Sequence, residues 1–306
     1  MEAEETPTAI DVRGLAKRFG AVTALEDVTL RVPRGEIFGF LGPNGAGKTT
    51  AVKLLLGLSK PSAGAGTMLG SPLGDRKARR LIGYLPELFR YHDWLSAREV
   101  LSLHAKLAGL RPERSGSQIQ TALDEVGLTE RADDRVGGFS KGMQQRLGLG
   151  VALLGDPQLV LLDEPTSALD PIGRHDVRLI VRALKARGCT VFLNSHLLSE
   201  VENVCDRVAI VKRGRVIAQG SVTDIVGASR GVRIAAAEGD TPIATILQRF
   251  GTLVPEGEAT VVLGVANSTV PEIAAALVAS NALIYRIEPI AMSLEERFLQ
   301  MTGDDE

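Results

Sequence analysis

Apolar residues along this chain recur in two rhythms. From residue 9 onward, "AIDVRGLAKRF" and "VTLRVPRGEIFGFLG" alternate apolar and polar positions, which predicts strands, with a turn at Pro33-Arg34-Gly35. "EIFGFLG" is apolar almost throughout, as a strand buried in a parallel sheet requires, and "QLVLLDEP" and "TVFLNSH" share that character. Between those two, "PIGRHDVRLIVRALKARG" has the helical rhythm. It opens at Pro171, sets Val177, Ile180, Val181 and Leu184 on one face, and closes at Gly188. Apolar strands that end in polar residues and alternate with amphipathic helices predict an α/β core.

Residues 88 to about 155 read as mostly helical, with a break at "GLRPERSGSQ", and predict a helical insertion between core strands. Past "RVAIVKRGRVIAQGSVTDIV" the pattern changes again. "GVRIAAAEG", "ATVVLGVA" and "ALIYRIEP" predict strands, and "TPIATILQRF" and "VPEIAAALVAS" predict helices. In the closing "SLEERFLQMTG", Ser293 and Glu296 have capping-box spacing. The expected organisation is a core domain over residues 1–225 and a small α+β accessory domain over 226–306.

Composition narrows the function classes. The 306 residues suffice for two domains, and 44% hydrophobic with 24% charged residues is an ordinary globular balance. A formal net charge of −2 gives no reason to expect a nucleic acid partner. Cys189 and Cys205 lack metal-ligand spacing and are expected as reduced core residues. "MEAEETPT" is acidic and unlike a secretory signal, and no apolar run approaches the roughly 20 residues that cross a bilayer. A cytoplasmic location is expected, with any membrane role exercised through a partner.

The strongest motif is "GFLGPNGAGKTTAVKLLLGL". Gly42, Gly47, Lys48 and Thr49 satisfy G-x-x-x-x-G-K-[ST] between a strand and an apolar helix. A polyphosphate is held there by backbone N–H groups at the positive end of a helix, and Gly42, Gly45 and Gly47 keep the approach bare. Lys48 would reach the β/γ-phosphates and Thr49 would ligate Mg²⁺. In "LVLLDEP", Asp163 and Glu164 emerge at the C-terminal end of a buried strand, where such sheets bind ligands. Asp163 would hold Mg²⁺ through the second shell, and Glu164 would orient the attacking water. Ending "FLNSH", His196 could fix that carboxylate or hydrogen-bond a γ-phosphate.

Together, over residues 8–222, these segments resemble the nucleotide-binding subunit of an ATP-binding-cassette (ABC) transporter. The resemblance implies a P-loop core carrying an antiparallel β subdomain and the helical subdomain already marked. It also implies ATP contacts from Gly42, Pro43, Asn44, Gly45, Ala46, Gly47, Lys48, Thr49 and Thr50. Phe19, in "KRFG", sits where the family stacks an aromatic on adenine; an ordinary core Phe is the competing reading. "FSKGMQQRLGLG" aligns with the family motif that closes over ATP bound to the opposite subunit. Ser140, Gly142 and Met143 are its contact positions, and Asp170 ends the neighbouring "LLDEPTSALD". One subunit then makes no complete site, so a second copy or a related subunit is implied. Glu87, in "IGYLPELF", stands where the family usually has a Gln that senses Mg²⁺ and the lytic water. It and Lys141 depart from the family pattern, as does the Met143-Gln144 pair, and the departures are similar to those in a bacterial branch that exports drugs and polysaccharides.

"LFRYHDWLSAREVLSLH" concentrates Phe89, Tyr91 and Trp94 in a chain with only 4% aromatics. In the resembled family this region meets the integral membrane permease subunit; filling the helical subdomain's own core is the competing reading. A non-transport cassette ATPase acting on ribosomes or DNA is the rival class, but neither a second cassette nor a heptad array is present. A binding module without turnover would not need both Glu164 and His196, and no guanine-reading N-K-x-D supports a GTPase.

Overall fold

The structure is a computed structural model and describes residues 7–303 except 168, 228–230, 258 and 291. Most of the acidic N-terminal stretch lies outside the described residues, as does Ala168 of the "LLDEPTSALD" segment. The chain divides into two compact units, residues 1–220 and 221–306.

The first unit is built on a mixed sheet of ten strands: β1 (Thr8–Phe19), β2 (Val22–Pro33), β3 (Ile37–Leu41), β4 (Ala63–Met68), β5 (Ser71–Pro72), β6 (Ile82–Leu85), β7 (Leu159–Asp163), β8 (Thr190–Ser195), β9 (Arg207–Lys212) and β10 (Arg215–Ser221). Their order is β5-β4-β1-β2-β10-β9-β3-β8-β7-β6. Strands β9, β3, β8, β7 and β6 pair in parallel, whereas β2, β1, β4 and β5 form an antiparallel flank. β3, β7 and β8 are buried at every position, which is why their sequences run apolar instead of alternating. Phe38, Phe40 and Phe192 pack together across β3 and β8. The helices of this unit are α1 (Lys48–Leu55), α2 (Arg76–Arg79), α3 (Ala97–Leu107), α4 (Pro112–Glu125), α5 (Lys141–Leu153), α6 (Pro171–Ala186) and α7 (Leu198–Val204).

α3, α4 and α5 pack on one another and form the helical insertion. The break within it is shorter than "GLRPERSGSQ" suggested. Pro112, at the N-terminus of α4, starts the helix, which then runs through Ser115, Gly116 and Ser117. Phe89 and Tyr91 are only partly exposed and touch each other, with Tyr91 edge-on to His104, so they serve the subdomain's interior. Trp94 stacks on His92 and is 67% exposed.

In the second unit, α8 (Val222–Val226), β11 (Gly231–Ala237), α9 (Ile243–Leu247), β12 (Thr252–Glu256), β13 (Ala259–Leu263), α10 (Val270–Ala279), β14 (Leu283–Ile290) and α11 (Leu294–Thr302) follow in order. The antiparallel order β12-β13-β11-β14 is that of a split βαβ sandwich. α8 contacts α11 and so belongs to this unit. The capping box at Ser293 and Glu296 forms.

Candidate ATP-hydrolysing site

The loop after β3 is shaped by contacts that only glycine permits. A Cβ on Gly42 would lie 2.4 Å from the Val211 carbonyl oxygen. Gly47 has φ 98°, and a Cβ there would lie 2.3 Å from the Ala24 oxygen. Gly47 offers α1 no capping side chain, so the first N–H groups of α1 keep their capacity for an anion. Lys48 is buried, and its ammonium donates to the Gly42 carbonyl at 2.8 Å and the Pro43 carbonyl at 3.4 Å. Burial lowers the Lys48 pKa from its ordinary value, while Glu164, Asp163 and Glu87 pull it back upward.

A cavity of about 440 Å³ opens over this loop, within the range of small-molecule sites. Its wall includes Asn44, Gly45, Gly47, Lys48, Thr49, Thr50, Glu87, Glu164, Asn194 and His196, together with Val22, Thr23 and Ala24. Gly42, Pro43 and Ala46 shape the loop from behind and do not line the cavity; Ala46 N–H donates to Pro43 O at 3.2 Å. Another cavity, of about 470 Å³, lies by the N-terminal ends of β7 and β8, lined by Gln118, Glu125, Gln158 and Arg187 among others. The two are close in size, so their chemistry distinguishes them: only the first has a phosphate loop.

Asp163 is 1% exposed and stands at the end of β7, behind the cavity wall. Burial raises its carboxyl pKa above the usual value, and a hydrogen bond from the Asn194 amide opposes that rise. The next residue, Glu164, has φ 54°, an uncommon conformation for a non-glycine residue, and its N–H donates to the Asn194 carbonyl at 2.8 Å. That turn brings Glu164 Oε2 to 2.7 Å from His196 Nδ1, and the His196 backbone N–H donates to the same oxygen at 3.4 Å. Glu87 is exposed beside them, and Tyr84 is pushed up to about 12 by burial and by the charges of Asp163 and Glu87.

A divalent cation fits this donor set. Among the described residues no group of three or more His, Cys, Asp or Glu is arranged to hold a metal ion. A hydroxyl, one carboxylate and the phosphates of a bound nucleotide are what such sites give Mg²⁺ instead. Beside Asp163, a buried Asn194 oxygen accepts no hydrogen bond among the described residues.

The other candidates fall elsewhere in the chain. Ser140 caps α5 by accepting the Met143 N–H at 3.3 Å, and Asp170 caps α6 by accepting the Gly173 N–H at 2.8 Å. Ser140, Gly142, Met143 and Asp170 line one cavity of about 370 Å³, separate from the Lys48 loop. Phe19 lines neither. At 54% exposure, with the Lys17 ammonium 4.9 Å from its ring centroid, it is not a core Phe. Asn194 is the residue that reading the motifs passed over. Its signal was an amide ending an apolar strand, in a register opposite Asp163 that only the sheet reveals.

A glycine loop opening a helix after β3, a lysine folded over it, and an acidic pair at the end of β7, one strand removed across β8, define a P-loop nucleotide site. The family model described as ABC transporter matches residues 25–167. An uncharacterized ABC transporter ATP-binding protein of Synechocystis sp. is 44% identical over 70% of this chain, and the match spans 61% of that protein. The Nod factor export ATP-binding protein I of a Rhizobium species is 36% identical, over 96% of this chain and 97% of its own length. Among solved structures, an ATP-binding subunit of an ABC transporter superposes with a TM-score of 0.65 at 36% identity, covering 71% of this chain and 92% of its own. A dimeric bacterial ABC transporter cassette gives 0.64 at 25% identity, covering 70% and 99%. The chain belongs to the ABC transporter family, as an ATP-binding subunit of the P-loop ATPase fold.

Proposed function

We propose that the chain hydrolyses ATP in a Mg²⁺-dependent reaction and drives a separate membrane permease, in the exporting direction. The observation that carries the reading is the convergence of Lys48, Thr49, Glu164 and His196 on one cavity above a bare helix N-terminus. The N–H groups of the loop and of α1 bind the phosphates, and Lys48 swings from the loop carbonyls onto the β/γ-phosphates. A Mg²⁺ ion, when bound, neutralises charge on the phosphate oxygens; Thr49 and Asp163 would hold it, with Glu87 beside them. Glu164, fixed by His196, accepts the proton of the attacking water.

Ser140, Gly142, Met143 and Asp170 lie apart from Lys48 in the same chain, which supports their use on ATP held by a second copy. A solved relative described as a dimeric cassette supports the presence of a second copy. The exporting direction is supported by the relative named for Nod factor export. Leu88, 87% exposed, and Trp94 follow Glu87 and offer the permease an apolar surface tied to the ATP site. No helix among the described residues is long and apolar enough to cross a membrane, so a membrane location would come through that partner.

The test is purification of the native complex in mild detergent, with assay of Mg²⁺-ATPase activity. Recovery of an integral membrane protein with activity that Lys48→Ala abolishes is expected. Recovery on ribosomes or chromatin would contradict the transport reading, and normal turnover in Lys48→Ala would contradict the site.

A further inference from the structure

Asn194 belongs to none of the motifs that identify the site, yet both acidic residues depend on it. It is 1% exposed and pairs with Asp163 in the parallel register of β7 and β8. Its side-chain amide donates to Asp163 Oδ1. Chemistry fixes that orientation, since a reversed amide would set an oxygen against a carboxylate oxygen with no proton between them. Its main-chain carbonyl accepts the Glu164 N–H at 2.8 Å, where β7 turns out of the sheet. One uncharged residue therefore fixes the side chain of Asp163 and the backbone of Glu164.

The remaining polar atom of the side chain, Oδ1, is buried and accepts no hydrogen bond among the described residues. Asn194 itself lines the ATP cavity, so a donor from the bound ligand or its water would account for that oxygen.

We propose that Asn194 is a positioning residue for the Mg²⁺ of bound ATP. It holds Asp163 through one carboxylate oxygen, leaving Oδ2 clear of that bond, and its own Oδ1 accepts a hydrogen bond from a water of the nucleotide site. This rests on the reading that Asp163 serves the metal. Outer-shell partners of this kind typically alter metal affinity by about 10–100-fold when removed.

The test separates nucleotide binding from metal binding. ATP affinity is measured by calorimetry in EDTA, and Mn²⁺ affinity of the ATP complex by electron paramagnetic resonance. Both are done for the full chain and for Asn194→Leu, Asn194→Ser and Asp163→Asn. Asn194→Leu should bind ATP in EDTA within about twofold of the parent while its Mn²⁺ affinity falls about 10–100-fold. Asn194→Ser, which keeps a hydroxyl donor, should recover part of that loss. Parental Mn²⁺ affinity in Asn194→Leu, with the loss confined to Asp163→Asn, would overturn the role of Asn194 alone. Parental affinity in both would overturn the assignment of Asp163 to the metal. Equal loss of ATP binding in EDTA and of Mn²⁺ binding, with no recovery in Asn194→Ser, would reduce Asn194 to a structural tie.

Discussion

Glu164 and His196 form a pair whose geometry depends on one unusual backbone angle. A φ of 54° at Glu164 costs on the order of 1–3 kcal/mol and delivers the carboxylate to the imidazole at 2.7 Å. Glu164→Gln should keep ATP affinity while turnover falls by about 10²–10⁴-fold, measured by phosphate release at saturating ATP. Unchanged turnover would remove Glu164 from the chemistry. The cysteines give a second prediction at this scale. Burial pushes the Cys189 thiol up to about 11 and raises Cys205 as well. At pH 8 only about one Cys189 in a thousand is thiolate, so neither should react with iodoacetamide until the chain is denatured. Rapid labelling of the native protein would contradict their burial. That Lys48, Thr49 and Glu164 would meet at one cavity was legible from the spacing of their motifs. That Asn194 would face Asp163 was not, because the two meet only where β7 and β8 lie side by side.

Elements hold the site through a few contacts between helices. Nη1 of Arg178, on α6, donates to both carboxylate oxygens of Glu200, in the first turn of α7, at 2.8 and 2.9 Å, while its Nη2 lies 3.5 Å from His175 Nδ1. α7 begins just after His196, so this pair steadies the segment that carries the imidazole. Glu200 is buried while Arg178 keeps a quarter of its side chain exposed, which lowers the usual cost of breaking a buried pair. Arg178→Met should destabilise the first unit by about 2–3 kcal/mol and lower its Tm by about 5–10 °C. A shift under about 1 °C in calorimetry would show that the pair contributes little. α6 was readable in full because Pro171, one apolar face and Gly188 agree on its limits. β12 was missed because Pro255 argues against a strand, and it is tolerated there because β12 is the edge of its sheet.

On the scale of the whole molecule, the P-loop cavity, the Ser140 cavity and the exposed Trp94 all lie within residues 1–220. A fragment ending at Gly220 should therefore bind ATP within about twofold of the full chain, because a unit with its own core can fold alone. A folded fragment without ATP affinity would place part of the site in residues 221–306. That the chain divides near its last quarter was legible from the change of pattern after "VTDIV". The exact limit was not, since α8 continues the preceding strand in sequence but contacts α11 of the second unit. The separation of Ser140 from Lys48 bears most directly on the proposed function, in which a second copy completes each site. The decisive measurement is the molar mass of Glu164→Gln by light scattering, with and without ATP and Mg²⁺. A mass that doubles only with ATP is the predicted result. A monomer that demonstrably holds ATP and stays at the single-chain mass would contradict the account.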